Sequence, residues 1–506
     1  MTTELDSSSG RSEALMSRNI LFPVYQQIAT VGILCFSHLL TQAALGQTIA
    51  PLHIISSDLG SISVAESSWY VAAYSLTVGT FILIAGRLGD AYGHRLMIVV
   101  GYVWFALWSF MCGFSVYSGQ VLFIVSRACQ GIGPAILLPN SLAILGNMFP
   151  PGMKKNIAFS LFAAAAPNGF LLGSLFSSLF AQLSWWPWAF WVMGITCVIT
   201  ALLAYLVVPL QPSDRSMEAH MNQLDLLGSF TGVVGLVLVN FSWNQAAVVG
   251  WTTPYTYSLL GIGIAFLVLF FWIEARSPHA IVPVSSLTID AIFVLSCIAC
   301  GWSSFGIWLF YAWQVLEEIR GYSPLSTVAQ FIPVGVSGFL AAFSTAYLLG
   351  RLGPYYIMTM AMTAFLVGSI LFATAPVHQN YWIQTFLSIA IMPFGMDLSY
   401  PSGTILLSNA TPREHQGIAA SLMNTVVNYS ISIGLGIAGT VERQISHHEQ
   451  DAFRGYRAAQ YVGIGLAGMG LGVSLLYVIA HKSTYRAPEK DEEDSELLEL
   501  TRDQVL

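Results

Sequence analysis

The stretch "GRLGDAYGHR", Gly86–Arg95, packs Arg87, Asp90, His94 and Arg95 into ten positions and threads them with three glycines. Charge is scarce elsewhere. Only 9% of the 506 residues are Asp, Glu, Lys or Arg, while 55% are hydrophobic, and the mean hydropathy is +0.66. With 19 basic and 26 acidic side chains, a chain of this length cannot clothe a water-soluble globule. Most of it therefore takes lipid as its solvent.

A helix needs about 20 apolar residues to cross a bilayer. The candidate spans are 28–52, 68–86, 96–116, 119–147, 157–181, 187–209, 226–244, 255–274, 291–315, 327–349, 355–375, 381–407, 418–440 and 458–480. With the N-terminus in the cytosol, the inner loops carry eight Lys or Arg, Arg87, Arg95 and Arg351 among them, and the outer loops four. This is the expected positive-inside bias. The net charge of −7 sits mostly in the last twenty residues, so residues 1–27 and 482–506 read as polar tails disordered in water.

The chain also repeats itself. "GRLG" at 86–89 returns at 350–353, and "GIGPAILLPNSLAILGNMFP" (131–150) aligns with "PFGMDLSYPSGTILLSNATP" (393–412). Both pairs hold equivalent places in the span order. The sequence thus divides into a six-helix half at 28–209, a linker at 210–274 with two inserted spans, and a second half at 275–481.

The opening stretch resembles the signature loop of the major facilitator superfamily, G-x-L-a-D-r-x-G-r-[KR], between the second and third helices. The resemblance implies an all-α polytopic fold: two six-helix halves plus two inserted helices, fourteen spans in all. It also implies a conformational latch at Gly86, Arg87, Gly89, Asp90, Gly93 and Arg95, echoed by Arg351. Glycines allow positive-φ turns and close helix approach, and Asp90 is placed to cap the third helix. Further stretches resemble the fourteen-helix drug:proton antiporter branch, especially fungal members of the aminotriazole-resistance type. They are "RACQGIGPA" from Arg127, "AAAAPNGFLLGSLFSS" around Pro167, "WWPWAF" and "LVLVNFSWNQA". In the second of these, Ala165, Gly169, Gly173 and Ser177 share one helix face that favours close packing, and Pro167 bends the helix. One departure stands out. Gly46 occupies the place in the first span where that branch commonly has an aspartate.

Ionisable groups at membrane depth are functional candidates. For proton coupling these are Arg127 in the fourth span, Asp397 about ten residues from the inner end of the twelfth, and His53 at the outer end of the first. Gln42, Gln47, Asn424 and Asn428 are candidates to line a substrate cavity, and Trp302 and Trp308 offer aromatic faces to an organic cation. Apart from Cys297 and Cys300 the cysteines are unpaired in sequence, and no second pair completes a zinc set. No Gly-Lys-Ser/Thr phosphate loop occurs. The expectation is a non-enzymatic, cofactor-free, proton-coupled exporter of small organic compounds, monomeric, in the plasma membrane. Its partners are substrate, protons and lipid, not nucleic acid. The alternatives are a transporter of a small solute such as ammonium or borate, or an importer. "EDSELL" (493–498) would favour a vacuolar or endosomal membrane instead.

Overall fold

The computed structural model describes residues 23–61, 63–149, 153–209, 225–277, 288–409, 416–449 and 451–481. The helices are α1 (Val24–Ile49), α2 (Leu52–Asp58), α3 (Val64–Tyr92), α4 (His94–Phe114), α5 (Gln120–Met148), α6 (Met153–Leu183), α7 (Pro187–Val207), α8 (Leu226–Val249), α9 (Pro254–Glu274), α10 (Ile289–Gln314), α11 (Pro324–Leu349), α12 (Pro354–Thr374), α13 (Gln384–Asn409), α14 (Gln416–Glu449) and α15 (Ala452–His481). Each expected span overlaps one long helix, and the first also reaches past α1 to the start of α2. Twelve of these are long and apolar enough to cross a membrane. The other two, α13 and α14, are as long but carry more polar side chains, Asp397, Asn424 and Asn428 among them.

In hydrocarbon every backbone polar group must find its partner inside the chain, which dictates helices and forces loops to the interfaces. Their ends are made accordingly. Ser63, Asp225, Thr288 and Ser323 each accept a backbone N–H of the first turn. Pro187, Pro254, Pro324 and Pro354 open helices where a missing N–H costs nothing.

The two halves pack by one scheme. In the first, α1 lies on α6, α4 on α5, α3 on α5, and α4 on α7; in the second, α10 lies on α14, α12 on α13, α11 on α13, and α12 on α15. The halves meet along two reciprocal seams, α3 with α14 and α6 with α11. In each, the second helix of one half meets the fifth of the other. The inserted helix α8 lodges against α14 and α3, and α9 leans on α8 with most of its surface exposed.

Three expectations need correction. The first span does not run unbroken to 52: α1 begins at Val24 and ends at Ile49, and Pro51, which has no N–H to continue the ladder, starts the separate short helix that carries His53. The signature stretch is not an open loop, because α3 continues through Tyr92 and only Gly93, at φ +93°, turns the chain into α4. Asp90 therefore lies in the last turn of α3, and the cap of α4 is Gly93, with no side-chain bond. The acidic tail at 482–506, its sorting motif, and residues 1–22 lie outside the described residues.

Candidate functional site

Midway along α13, Asp397 faces the seam between α6 and α11. A Cβ placed on Gly338 of α11 would lie 3.5 Å from Asp397 Oδ2 and 3.6 Å from Pro167 Cγ. The glycine thus brings a carboxyl group of the second half and the bend proline of the first to its two sides. Asp397 is half-buried. Its backbone carbonyl accepts a bond from Thr345 Oγ1 at 2.9 Å, but among the described residues its carboxyl oxygens take no protein hydrogen bond. The neighbouring Ser399 is otherwise engaged: it donates to the Met396 carbonyl at 3.1 Å and accepts from Trp302 Nε1 at 3.2 Å. A carboxyl group held this way is open to a proton or a small cation.

At the opposite end from the basic loops the halves are pinned by His53. Its Nδ1 lies 2.9 Å from Oε1 of Glu318, in a π-helical turn (Val315–Ile319) that extends α10. The Tyr456 hydroxyl donates to the other oxygen of the same carboxylate. His53 therefore bridges the two halves at the surface, far along the chain from Asp397 and Arg127.

Arg127 is fully buried, and its partners all belong to the first half. Nε donates to the Tyr70 carbonyl at 2.9 Å, an η-nitrogen donates to Gln130 Oε1, and the guanidinium covers the Tyr74 ring at 4.3 Å. Gln130 passes the chain on to Ser109 Oγ at 2.7 Å. The arginine ties α3, α4 and α5 together, a charge solvated by carbonyls and a π-face rather than by water.

The signature stretch packs in the same manner. Gly86 faces Ser421 of α14 and Pro139, so it touches the other half. Gly89 leaves room for Asn140, which bonds His94 Nδ1 at 2.8 Å and reaches the Ala85 carbonyl at 3.3 Å. Asp90 lies 3.5 Å from His94 Nε2, and Arg95 donates to the Tyr205 carbonyl of α7. Arg351 stacks on Tyr347 at 4.4 Å within the second half and is not brought to the stretch.

Along the α1–α6 contact, Gly169 faces the Leu39 backbone and Gly173 that of Ala43, while Ala165 is half-buried on the same helix. Gly46 completes this contact: a Cβ there would lie 2.6 Å from Ser174 Oγ and run into the Phe170 carbonyl. A side chain here would have to push α1 and α6 apart, so the place where an acid was expected is filled by the neighbouring helix. Of the cavity candidates, Gln42 is half-buried and Gln47 buried, its amide nitrogen without a partner among the described residues. Asn424 bonds Tyr400, and Asn428 donates to the Asn424 carbonyl at 3.0 Å close to Gly79 of α3. The aromatic faces are committed to packing. Trp308 is buried, bonded to Ser388 at 2.8 Å and stacked on Phe305.

Sequence reasoning passed over Glu318 and the Asn240–Asn244–Ser432 set. Ser432 Oγ lies 2.9 Å from both the Ala72 carbonyl and Asn240 Oδ1, and Asn244 Nδ2 donates to the Ser432 carbonyl at 3.2 Å. These bonds fasten α8 to the α3–α14 seam. Acids beside an apolar run ("VLEEI") and two asparagines one turn apart were the available signals.

Residues 31–435 match the family model described as Major Facilitator Superfamily. The chain is 56% identical over 467 residues to the low affinity ammonium transporter of Saccharomyces cerevisiae, covering 91% of each chain. It is 43% identical to the efflux pump terJ of Aspergillus terreus, covering 92% of this chain and 90% of that one. With the aminotriazole resistance protein of Saccharomyces cerevisiae it shares 39% identity over 90% of this chain and 84% of the relative. The crystal structure of a peptide transporter POT in complex with sulfate has the same fold, with TM-score 0.62, 17% identity, and coverage of 90% and 94% of the two chains. The chain belongs to the Major Facilitator Superfamily and is a membrane transporter.

Proposed function

We propose that this member of the superfamily is a proton-linked secondary transporter working by alternating access, with ammonium and small alkylamines as its first cargo. The observation that carries the reading is the half-buried Asp397 carboxyl group, unbonded by other described residues, on the α6–α11 seam where the halves must move. Ionised, it complements a small cation; protonated, it does not. One group can then carry either species but not both, the condition for exchange. The burial of Trp308 and the bond from Trp302 to Ser399 leave little aromatic surface for a flat organic cation, and the ammonium transporter relative points the same way. His53–Glu318 closes one end of the path, and the Gly86–Ser421 contact serves as the latch at the other. Arg127 holds the first half rigid behind them. Action in the plasma membrane, as a monomer, completes the reading.

Efflux of small organic compounds is the second reading, favoured by the Pro167–Gly338 contact in the antiporter-like helix and by the efflux-pump relative. Energetics distinguish the two. Exchange of one proton for one monovalent cation moves no net charge, so the pH gradient alone drives it, about 1.4 kcal/mol per unit. Exchange for a neutral solute adds about 2.3 kcal/mol per 100 mV. The test is uptake of labelled methylammonium into protein-containing vesicles, against protein-free ones, with pH gradient and potential set separately. Protein-dependent uptake driven by the pH gradient, insensitive to potential and lost in Asp397→Asn, is the expected result. Transport indifferent to Asp397→Asn sinks the coupling assignment. Movement of aromatic compounds but not of methylammonium would select the efflux reading.

A further inference from the structure

Away from the seam that holds Asp397, a cavity of about 490 Å³ lies between the inserted pair and the bundle. Leu83 and Ile84 of α3, Val233 of α8, Leu267 and Phe270 of α9 and Val426 of α14 form its walls. The polar groups in the lining are nearly all spent on the protein's own backbone. Thr80 donates to the Leu76 carbonyl at 2.7 Å, Ser303 to that of Ser430 at 2.9 Å, Tyr429 to that of Leu236 at 3.0 Å and Ser229 to that of Asp225 at 2.6 Å. Among the described residues the Thr425 and Ser430 hydroxyls are the exceptions. Water needs two to four polar partners in such a place, so the walls suit an apolar guest.

We infer that this cavity holds one acyl chain of a cytosolic-leaflet phospholipid, clasped by the inserted pair against the contact between the halves. Along α14 the lining runs from Leu422 to Ile433, about 16 Å at the helical rise and about half of the roughly 30 Å hydrocarbon core. That is the depth of one leaflet. The walls lie toward the basic-loop end: α8 contributes from Gly228, near its start, and α9 to Phe271, near its end. Just beyond, Trp272 is exposed and the Arg276 guanidinium stacks on it at 4.2 Å, an interfacial anchor with a cation at phosphate depth. The carboxyl groups of Asp225 and Glu274 converge on Gly228 at the same level and disfavour an acidic headgroup there. A chain seated here touches α3 of one half, α14 of the other and both inserted helices. Gly232 and Gly235, which a Cβ would drive into Phe270 and Leu267, set how closely α9 closes over it.

The test uses phosphatidylethanolamine and phosphatidylcholine carrying a photoactivatable group mid-chain, in vesicles with the full-length protein, and maps the labelled peptides. No residue from 422 to 433 is exposed, so label on that segment reports the cavity rather than the outer surface. Wild type is expected to be labelled there, and Val233→Trp on α8 and Ala299→Phe on α10, both of which line the cavity, to lose that label. Label on the exposed Phe343 of α11 persists in all three and shows that each is folded and inserted. No label on 422–433 in wild type, or undiminished label in both variants, overturns the inference. So does label displaced by tetraphenylphosphonium but not by unlabelled phospholipid, which would make the cavity a cargo site.

Discussion

Replacing Gly46 by alanine tests the close packing of α1 on α6 that shapes the first half. The added Cβ would sit 2.6 Å from Ser174 Oγ and 3.1 Å from its backbone nitrogen, and closer still to the Phe170 carbonyl. The serine can rotate away, but the carbonyl is fixed in its helix. Relief requires the two helices to part by roughly 1 Å, a gap that forfeits a quarter to a half of the dispersion wells across it. Overpacking of this kind costs about 1–3 kcal/mol. Gly32, in the same helix, has none of the described residues within 4 Å of its Cβ position. There alanine gains about 0.5–1 kcal/mol from the lost backbone freedom of glycine. Thermal unfolding of the purified full-length variants should lower the midpoint for Gly46→Ala and leave it level or raised for Gly32→Ala. Equal shifts would refute the steric account. Gly46→Asp should lower it further and bring no added proton linkage, because no space exists for a carboxylate.

The His53–Glu318 pair is partly exposed, at 27% and 35%, so its worth is about 0.2–1 kcal/mol. His53→Ala should make engineered cysteines lining that end more reactive, by at most about fivefold, and adding Glu318→Gln should change little more. Fully additive effects would mean the two do not act together. Arg127→Lys keeps the charge but loses the fork, and charge-assisted bonds are worth about 1.5–3 kcal/mol. The variant should unfold at lower temperature with proton linkage per folded molecule intact; loss of linkage at full stability would put Arg127 on the proton route. Asn240→Ala removes the Oδ1 acceptor shared by Ser432 and Asn244, which keep the carbonyls of Ala72 and Ser432, and should cost about 0.5–1.5 kcal/mol. Unchanged stability would show that α8 is not fastened by this network.

Legibility in the sequence followed the physics of each feature. Spans were legible because lipid tolerates only long apolar helices, and the halves because an inherited repeat leaves "GRLG" and paired prolines at similar offsets. Helix ends were less so. That α3 would run through Gly86 and Gly89 as far as Tyr92 depended on Asn140, Pro139 and Ser421 arriving to pack against those glycines. Asp397 was identifiable as an acid at depth, but its position beside Gly338, which Pro167 also faces, was not, since Asp397 and Pro167 are 230 positions apart in the chain.

Composition and hydropathy by themselves determined a polytopic helical membrane chain, because hydrophobic length and charge bias act locally along the chain; the internal repeat gave two related halves, and transport was implied only by the resemblance of the signature stretch. Which glycines are contacts, which histidine pairs with which glutamate, and that Arg127 is turned inward on carbonyls while Asp397 keeps its carboxyl group open were decided only in three dimensions. Each depends on backbone approach and desolvation between segments far apart in sequence, and no local pattern encodes a distance between helices.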